Sequence, residues 1–260
     1  MNENLNDFLI ETKYCNFKNI NINYLAKKLT LEYSAQQEKA KALFYWVRDN
    51  ILYRVGNWNC SASETLKEKR GTCTNKTNLL IALLRSINIP AGYGVMYVMG
   101  DEYFGPIKIP IFKNLVSLKS VHIFCYIYLN NQWVKVDPSD DIKLCEATSY
   151  FNPTTKLINW DGTNDAMLNL NPKHILNEKG PINDIDRLIS KKSRKSKKFF
   201  VKVGNFYIDF LRNNKENIKS INQLEFLFKK WFKKNHLFCY YIFCLVRNIM
   251  NIYDKESFKK

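Results

Sequence analysis

No run of about 18 apolar residues occurs in this 260-residue chain, so no segment is expected to cross a bilayer as a helix. The longest candidate, Leu237 to Val246, is closed by Arg247. The opening residues, MNENLNDFLIETKY, place acids where a secretory leader would place bases ahead of an apolar run, so no leader is expected. The expected compartment is therefore the cytoplasm, where thiols stay reduced. Seven cysteines are too few, and odd in number, for a disulfide-stapled scaffold. No CxxC pair occurs, and the three histidines, His122, His174 and His236, lie far apart, so no zinc site is expected. There is no GxGxxG and no P-loop, hence no nucleotide site and no cofactor to expect. No internal repeat is found.

What is present is a globular composition. Apolar residues make up 46% and aromatics 14%, too much for a disordered chain. The length suits one large domain, or one domain with an appendage. Acid is scarce: 24 Asp and Glu face 40 Lys and Arg, a net charge of +16. From Arg187 onward there are 19 basic and 5 acidic residues, so +14 of the +16 sits in the last 74 residues. That charge suits nucleic acid, an anionic membrane surface or an acidic protein. It equally suits a plain solvated surface in a Lys/Asn/Ile-rich chain.

Residues 35–50 read as a helix capped by Ser34, with Ala42, Leu43, Trp46 and Val47 on one stripe. A helical turn within 61–70 has Ser61 or Ser63 as its cap and Leu66 as its anchor. Residues 73–87 form the clearest amphipathic helix, with Cys73, Thr77, Leu80, Leu84 and Ile87 in line. After Pro90 the pattern becomes β: AGYGVMYVM, a loop over 101–119, then a hairpin of strands 121–129 and 132–137 about Asn130-Asn131. Residues 141–185 resist assignment. SKKSRKSKK at 190–198 reads as a charged linker, and 199–253 as helices, including LEFLFKKWFKK at 224–234. Phe199, Phe200, Trp231 and Phe232 recur there at helical spacing, which fits a helix core better than a base-stacking platform.

Cys73 follows a Gly-Thr break at the start of the clearest helix. Free backbone N–H groups and the positive end of the helix dipole favour a thiolate there, and the same N–H groups can hold an oxyanion. A cysteine packed as a small apolar residue is the commoner case. With the turn at Asn130-Asn131, Leu129 faces Gln132 and Phe124 faces Asp137. One face of the hairpin is then apolar: Val121, Ile123, Cys125, Ile127, Leu129, Val134 and Val136. The other carries His122 and Asp137 as diagonal neighbours, a base with a carboxylate to orient it. Cys125 points to the apolar face, and Cys239 and Cys244 read as packing residues. Cys15, Cys60 and Cys145 show no partner.

The stretches SASETLKEKRGTCTNKTNLLIALLRSINIPAGY and SVHIFCYIYLNNQWVKVDPS resemble the transglutaminase-like superfamily. The matching pieces are Gly71-Thr72-Cys73, Asn88-Ile89-Pro90-Ala91, His122, and Trp133 to Pro138. The helix bearing Trp46, leading to Tyr53, is similar to the family's lead-in. The resemblance covers about residues 35–140. Phe124 stands where an aromatic often follows the family's histidine, and Asn88 stands where Gly is usual; Asn tolerates the left-handed conformation. No acidic cluster suggests calcium dependence, and Asp140-Asp141 reads as turn chemistry. For the second oxyanion donor, Trp58, Asn59 and Asn75 stay open.

The resemblance implies an α+β, papain/transglutaminase-like core, with the nucleophile at a helix N-terminus packed on an antiparallel sheet, plus a basic helical C-terminal extension. The division expected is an N-terminal segment 1–34, a catalytic core 35–150, an irregular connector 151–198 and a basic helical region 199–260. Cys73 is then the nucleophile, His122 the general acid/base and Asp137 the orienting carboxylate. The implied activity is acyl transfer through a thioester, forming or exchanging amides from a peptide or acyl-thioester substrate. An acidic acyl carrier protein, or another acidic protein, would dock on the basic region. Peptidase or amidase action is the alternative. A non-enzymatic basic module binding nucleic acid or protein is the other class, though nucleic acid is not an expected partner.

Overall fold

The computed structural model describes residues 4–100, 118–149, 156–193, 198–214, 218 and 220–257. The expected loop over 101–119 lies outside them except for its last two residues, and so do 194–197 of the basic stretch. After a 3-10 turn at Leu5–Leu9 come helix α1 (Ile20–Thr30), α2 (Gln36–Asn50), strand β1 (Leu52–Tyr53), α3 (Ala62–Glu68), β2 (Arg70–Gly71) and α4 (Cys73–Ser86). Then follow β3 (Ala91–Met99), β4 (Lys119–Leu129), β5 (Gln132–Val136), α5 (Ile142–Ser149) and β6 (Ile175–Ile182). Helices α6 (Asp186–Ser193), α7 (Lys198–Asn214), α8 (Ile221–Asn235) and α9 (Leu237–Ser257) complete the described chain.

One sheet is antiparallel, in the order β5-β4-β3-β6; β1 and β2 form a small parallel pair. The β4–β5 register pairs Leu129 with Gln132 and Cys125 with Val136. Asn130 and Asn131 both have positive φ, 49° and 61°, as a two-residue hairpin turn of this hand requires. Asn88 has φ 59°, the left-handed conformation expected of it. The apolar face expected of the hairpin is buried in the main core, with Ile123, Cys125, Ile127, Leu129, Val134 and Val136 all in one cluster.

Helix α4 differs from its expected amphipathic form, because Cys73 through Arg85 are all buried. Strands β3 and β4 and helices α1, α2 and α3 all pack on it. Its polar side chains survive burial because each has a partner. Thr77 donates to the Ile123 carbonyl at 3.1 Å, and Asn78 Nδ2 to that of Tyr14 at 2.7 Å. The Tyr93 hydroxyl donates to Asn78 Oδ1 at 2.6 Å.

Ser61 does cap α3, in a reciprocal capping box with Glu64. Ser34 does not cap α2: the N-cap is Ala35, with no side-chain hydrogen bond. The stretch expected to be a linker from residue 190 is helical through Ser193, because Ile189 is fully buried and holds α6 on the main core. The region that resisted assignment holds α5 and the edge strand β6, whose sequence ILNEKGPI lacks a β pattern. An edge position tolerates its Gly and Pro, since one side of the strand needs no ladder bonds.

A second apolar cluster joins the C-terminal helices to the rest. Val203, Tyr207, Phe210, Leu211, Phe228 and Phe232 pack with Tyr53 of β1 and with Leu144 and Ala147 of α5. Phe199, Phe200 and Trp231 pack against this cluster.

Candidate active site

The site begins with the turn into α4. Gly71 is required there: a Cβ at that position would lie 2.8 Å from Asn75 Cβ and 3.2 Å from Thr65 Cγ2. Thr72 caps the helix. Its hydroxyl accepts from the Asn75 N–H at 3.3 Å, and Asn75 Oδ1 accepts from the Thr72 N–H at 3.0 Å. Asn75 Nδ2 donates to the Trp58 carbonyl at 2.9 Å. The Asn75 side-chain amide thus holds the helix start through both its oxygen and its nitrogen. Cys73 is the first residue of the helix, 5% exposed.

Across from it, His122 on β4 and Asp137, just beyond β5, are fully buried. His122 Nε2 and Asp137 Oδ2 are 2.5 Å apart, which leaves Nδ1 for the Cys73 thiol, to which the ring is also hydrogen-bonded. The backbone of Ile123 hydrogen-bonds the same thiol. Asp137 is held at three points. Its N–H donates to the Ala166 carbonyl at 2.9 Å, and its Oδ1 accepts from the Ser139 N–H at 3.0 Å. Its Oδ2 takes the histidine. The three residues singled out from sequence are therefore brought together.

Electrostatics favour charge separation here. Burial pushes the Cys73 thiol up, but the hydrogen bond and charge of His122 and the Ile123 backbone outweigh it, and the net shift is downward. Burial alone would lower His122; the charge and hydrogen bond of Asp137, then the thiol, raise it to about 10. Burial raises Asp137, yet His122 and Ser139 hold it below the usual carboxylate range. Cys15, Cys60, Cys125 and Cys145 are all shifted the other way, chiefly by burial. Cys60 also receives a long contact from Arg54, at 3.7 Å.

Phe124 stacks near His122, with ring centroids 6.4 Å apart. It fits only because its neighbour on β3 is Gly94, where a Cβ would lie 2.2 Å from the Phe124 ring. The other histidines are elsewhere: His174 ends a 3-10 turn before β6, and His236 stacks on Phe206 at 3.7 Å. Among the described residues, no three His, Cys, Asp or Glu are grouped so as to hold a metal ion.

Beside the site lie two charged groups: Lys76, which no sequence motif singles out, and Asp141, expected from sequence to be turn chemistry. Lys76, one turn after Cys73, is fully buried and donates to the carbonyls of Arg48, at 3.0 Å, and Asp140, at 3.4 Å. Burial lowers it to about 8. Asp141 is no simple turn residue. Its carboxylate accepts from the N–H groups of Leu144, at 2.9 Å, and Tyr53, at 2.8 Å, and pairs with Arg212 at 2.6 Å. A basic residue three positions after the thiol was the only signal for Lys76. For Asp141, the partner lies 71 residues away.

A thiol at the start of a buried helix, packed on an antiparallel sheet that bears a His–Asp pair, defines the architecture of papain-like cysteine enzymes. Residues 23–138 match the model of the transglutaminase-like superfamily, a little under half of the chain. No curated protein matches the chain. Two solved structures are similar over about half of it. One is a "putative cysteine protease" from Cytophaga hutchinsonii, 24% identical, TM-score 0.43, matched over 54% of this chain and 43% of its own. The other is a "putative protease" from Parabacteroides distasonis, 14% identical, TM-score 0.36, matched over 52% of this chain and 25% of its own. The match thus spans less than half of either neighbour's length. No described helix is long and apolar enough to cross a membrane.

Proposed function

We propose that the chain is a cysteine acyltransferase that works through a thioester, with Cys73 as nucleophile, His122 as general acid/base and Asp137 as the orienting carboxylate. The observation that carries this is the buried chain of hydrogen bonds from Cys73 through His122 to Asp137. The Cys73 proton passes to His122, and the thiolate attacks a carbonyl carbon of the donor, whose π electrons move to oxygen. The N–H groups of Cys73 and Thr74 are left over by the α4 cap, which uses those of Asn75 and Lys76. They are the donors suited to that oxyanion. The tetrahedral adduct collapses, and the amine or thiol leaves with the proton from His122. An amine then attacks the thioester, gives its proton to His122 and releases Cys73 as thiolate. Water in the same position gives hydrolysis, the alternative outcome.

Cys73→Ala is expected to abolish turnover, and Asp137→Ala to lower it roughly 10²–10⁴-fold. Mass spectrometry of the protein incubated with acyl-thioester carriers and with peptides should show an adduct on Cys73, lost in Cys73→Ala. Turnover undiminished in Cys73→Ala would refute the assignment.

The basic helical region supports an acidic donor, such as an acidic acyl carrier protein, as partner. Lys230, Lys233 and Lys234 on α8 are exposed, and none has an ion-pair partner among the described residues, whereas Lys229 pairs with Glu225 at 2.7 Å. Replacing these three by Gln should weaken carrier binding and flatten its salt dependence. Unchanged affinity in a salt titration would reject the docking role.

A further inference from the structure

Arg212 belongs to α7, outside the segment that matches the superfamily, yet it reaches the loop that carries Asp137. Its side chain is 6% exposed and the Asp141 carboxylate 0%. The guanidinium contacts Asp141 Oδ2 at 2.6 Å, Asp209 Oδ1 at 3.0 Å and the Tyr53 carbonyl at 2.5 Å. The same Asp141 oxygen, Oδ2, receives the Tyr53 N–H, so Arg212 and Asp141 clasp both polar groups of one β1 residue. Asp141 is four positions after Asp137. The loop between them is fixed at its start by His122 and Ser139, at Asp140 by Lys76 and at its end by Arg212. Five residues pinned at three places have little freedom to shift one pin without moving the others.

We propose that Arg212 is a positioning residue of the active site, which from α7 fixes the 137–141 loop and so aims the Asp137 carboxylate at His122. The C-terminal helices then form part of the catalytic architecture as well as a basic surface. The proposal rests on the assignment of Cys73, His122 and Asp137 given above. Arg is suited to the task because its planar fork serves several acceptors at once, which an ammonium does not.

The test is site-resolved alkylation of Cys73 by iodoacetamide against pH, on the full-length chain, in wild type, Arg212→Met and Arg212→Lys, with denaturant midpoints measured in parallel. A merely structural ion pair would lower the denaturant midpoint and leave the Cys73 profile unmoved. A positioning role predicts a Cys73 midpoint that rises by about one unit or more in Arg212→Met, toward the ordinary thiol value of about 8.5. Alkylation at pH 6 should fall roughly tenfold, with partial recovery in Arg212→Lys. A folded Arg212→Met protein with the wild-type profile overturns the proposal. If that variant does not fold, an unmoved profile in Arg212→Lys does the same. A wild-type midpoint near 8.5 would instead overturn the nucleophile assignment, and this proposal with it.

Discussion

Cys73 and Cys125 are both buried cysteines, and their neighbours make them chemically opposite. Cys73 sits at a helix start beside an imidazole whose pKa is pushed up to about 10, and its own is lowered by that neighbour. Cys125 faces the apolar core and is pushed well above the ordinary thiol value by burial. Alkylation of the native protein near pH 7 should therefore label Cys73 ahead of Cys15, Cys125 and Cys145. Labelling of Cys125 before Cys73 would show that the pair is not formed. Under the proposed mechanism, turnover should fall at low pH as Cys73 takes up its proton, and fall again as His122 loses its own through about pH 10. Linkage to stability has a definite sign. His122 is raised from 6.5 to about 10, so its contribution is complete below about pH 6.5 and disappears as pH climbs through about 10. Asp137 is lowered, so its contribution is present above its ordinary value and lost as pH falls through the depressed one. Thermal unfolding followed from pH 6 to 10.5 should show a loss on the alkaline side that is absent in His122→Ala.

At the scale of the element, the hairpin was legible and α4 only half so. Strand alternation is local, and Asn130-Asn131 permits one tight turn, so the His122 and Asp137 face followed from the pattern. Helix α4 carries the expected stripe, but Thr74, Asn75, Lys76 and Asn78 lie on faces that periodicity assigns to water. The strands and helices packed around α4 bury them, and which faces of the helix they cover is not written in its own periodicity. The pairing of Gly94 with Phe124 is a similar case, since a glycine in a strand does not announce which ring it admits. Gly94→Ala should lower stability by about 1–3 kcal/mol through overpacking. It should also reduce turnover by displacing the ring beside His122. Phe124→Leu in the Gly94→Ala background should recover part of the stability, a non-additivity that a double-mutant cycle of unfolding measurements detects. Strictly additive losses would mean that the two residues do not meet.

Over the whole molecule, cohesion depends on buried cations that span elements. Arg85 is 1% exposed, and its hydrogen bonds reach the carbonyls of Ile10, Ala91 and Asn183, so it ties the N-terminal segment, β3 and the approach to α6 to α4. Arg85→Met should leave several buried carbonyls unpaired. At about 1–3 kcal/mol for each such group, the expected loss is roughly 3 kcal/mol or more, read from denaturant midpoints. A loss under about 0.5 kcal/mol, the level of an ordinary surface change, would mean that water replaces the guanidinium. Arg212 acts over a similar range beside the second apolar cluster, which joins the C-terminal helices to Tyr53 and α5.

The chain's order of residues was enough for the features that depend on near neighbours: the Gly71-Thr72-Cys73 helix start, the Asn-Asn hairpin, the left-handed Asn88, and the pairing of a histidine with a carboxylate across two adjacent strands. Each follows from sterics or alternation acting over a few residues. Folding in space was needed to show that α4 is buried from Cys73 to Arg85, that Asn75 closes its cap, and that an unpatterned edge strand completes the sheet. It was needed also to show that Asp141, besides capping the start of α5, pairs with Arg212. These depend on which surfaces meet, and a buried charge finds its partner by distance in space, whatever the separation along the chain.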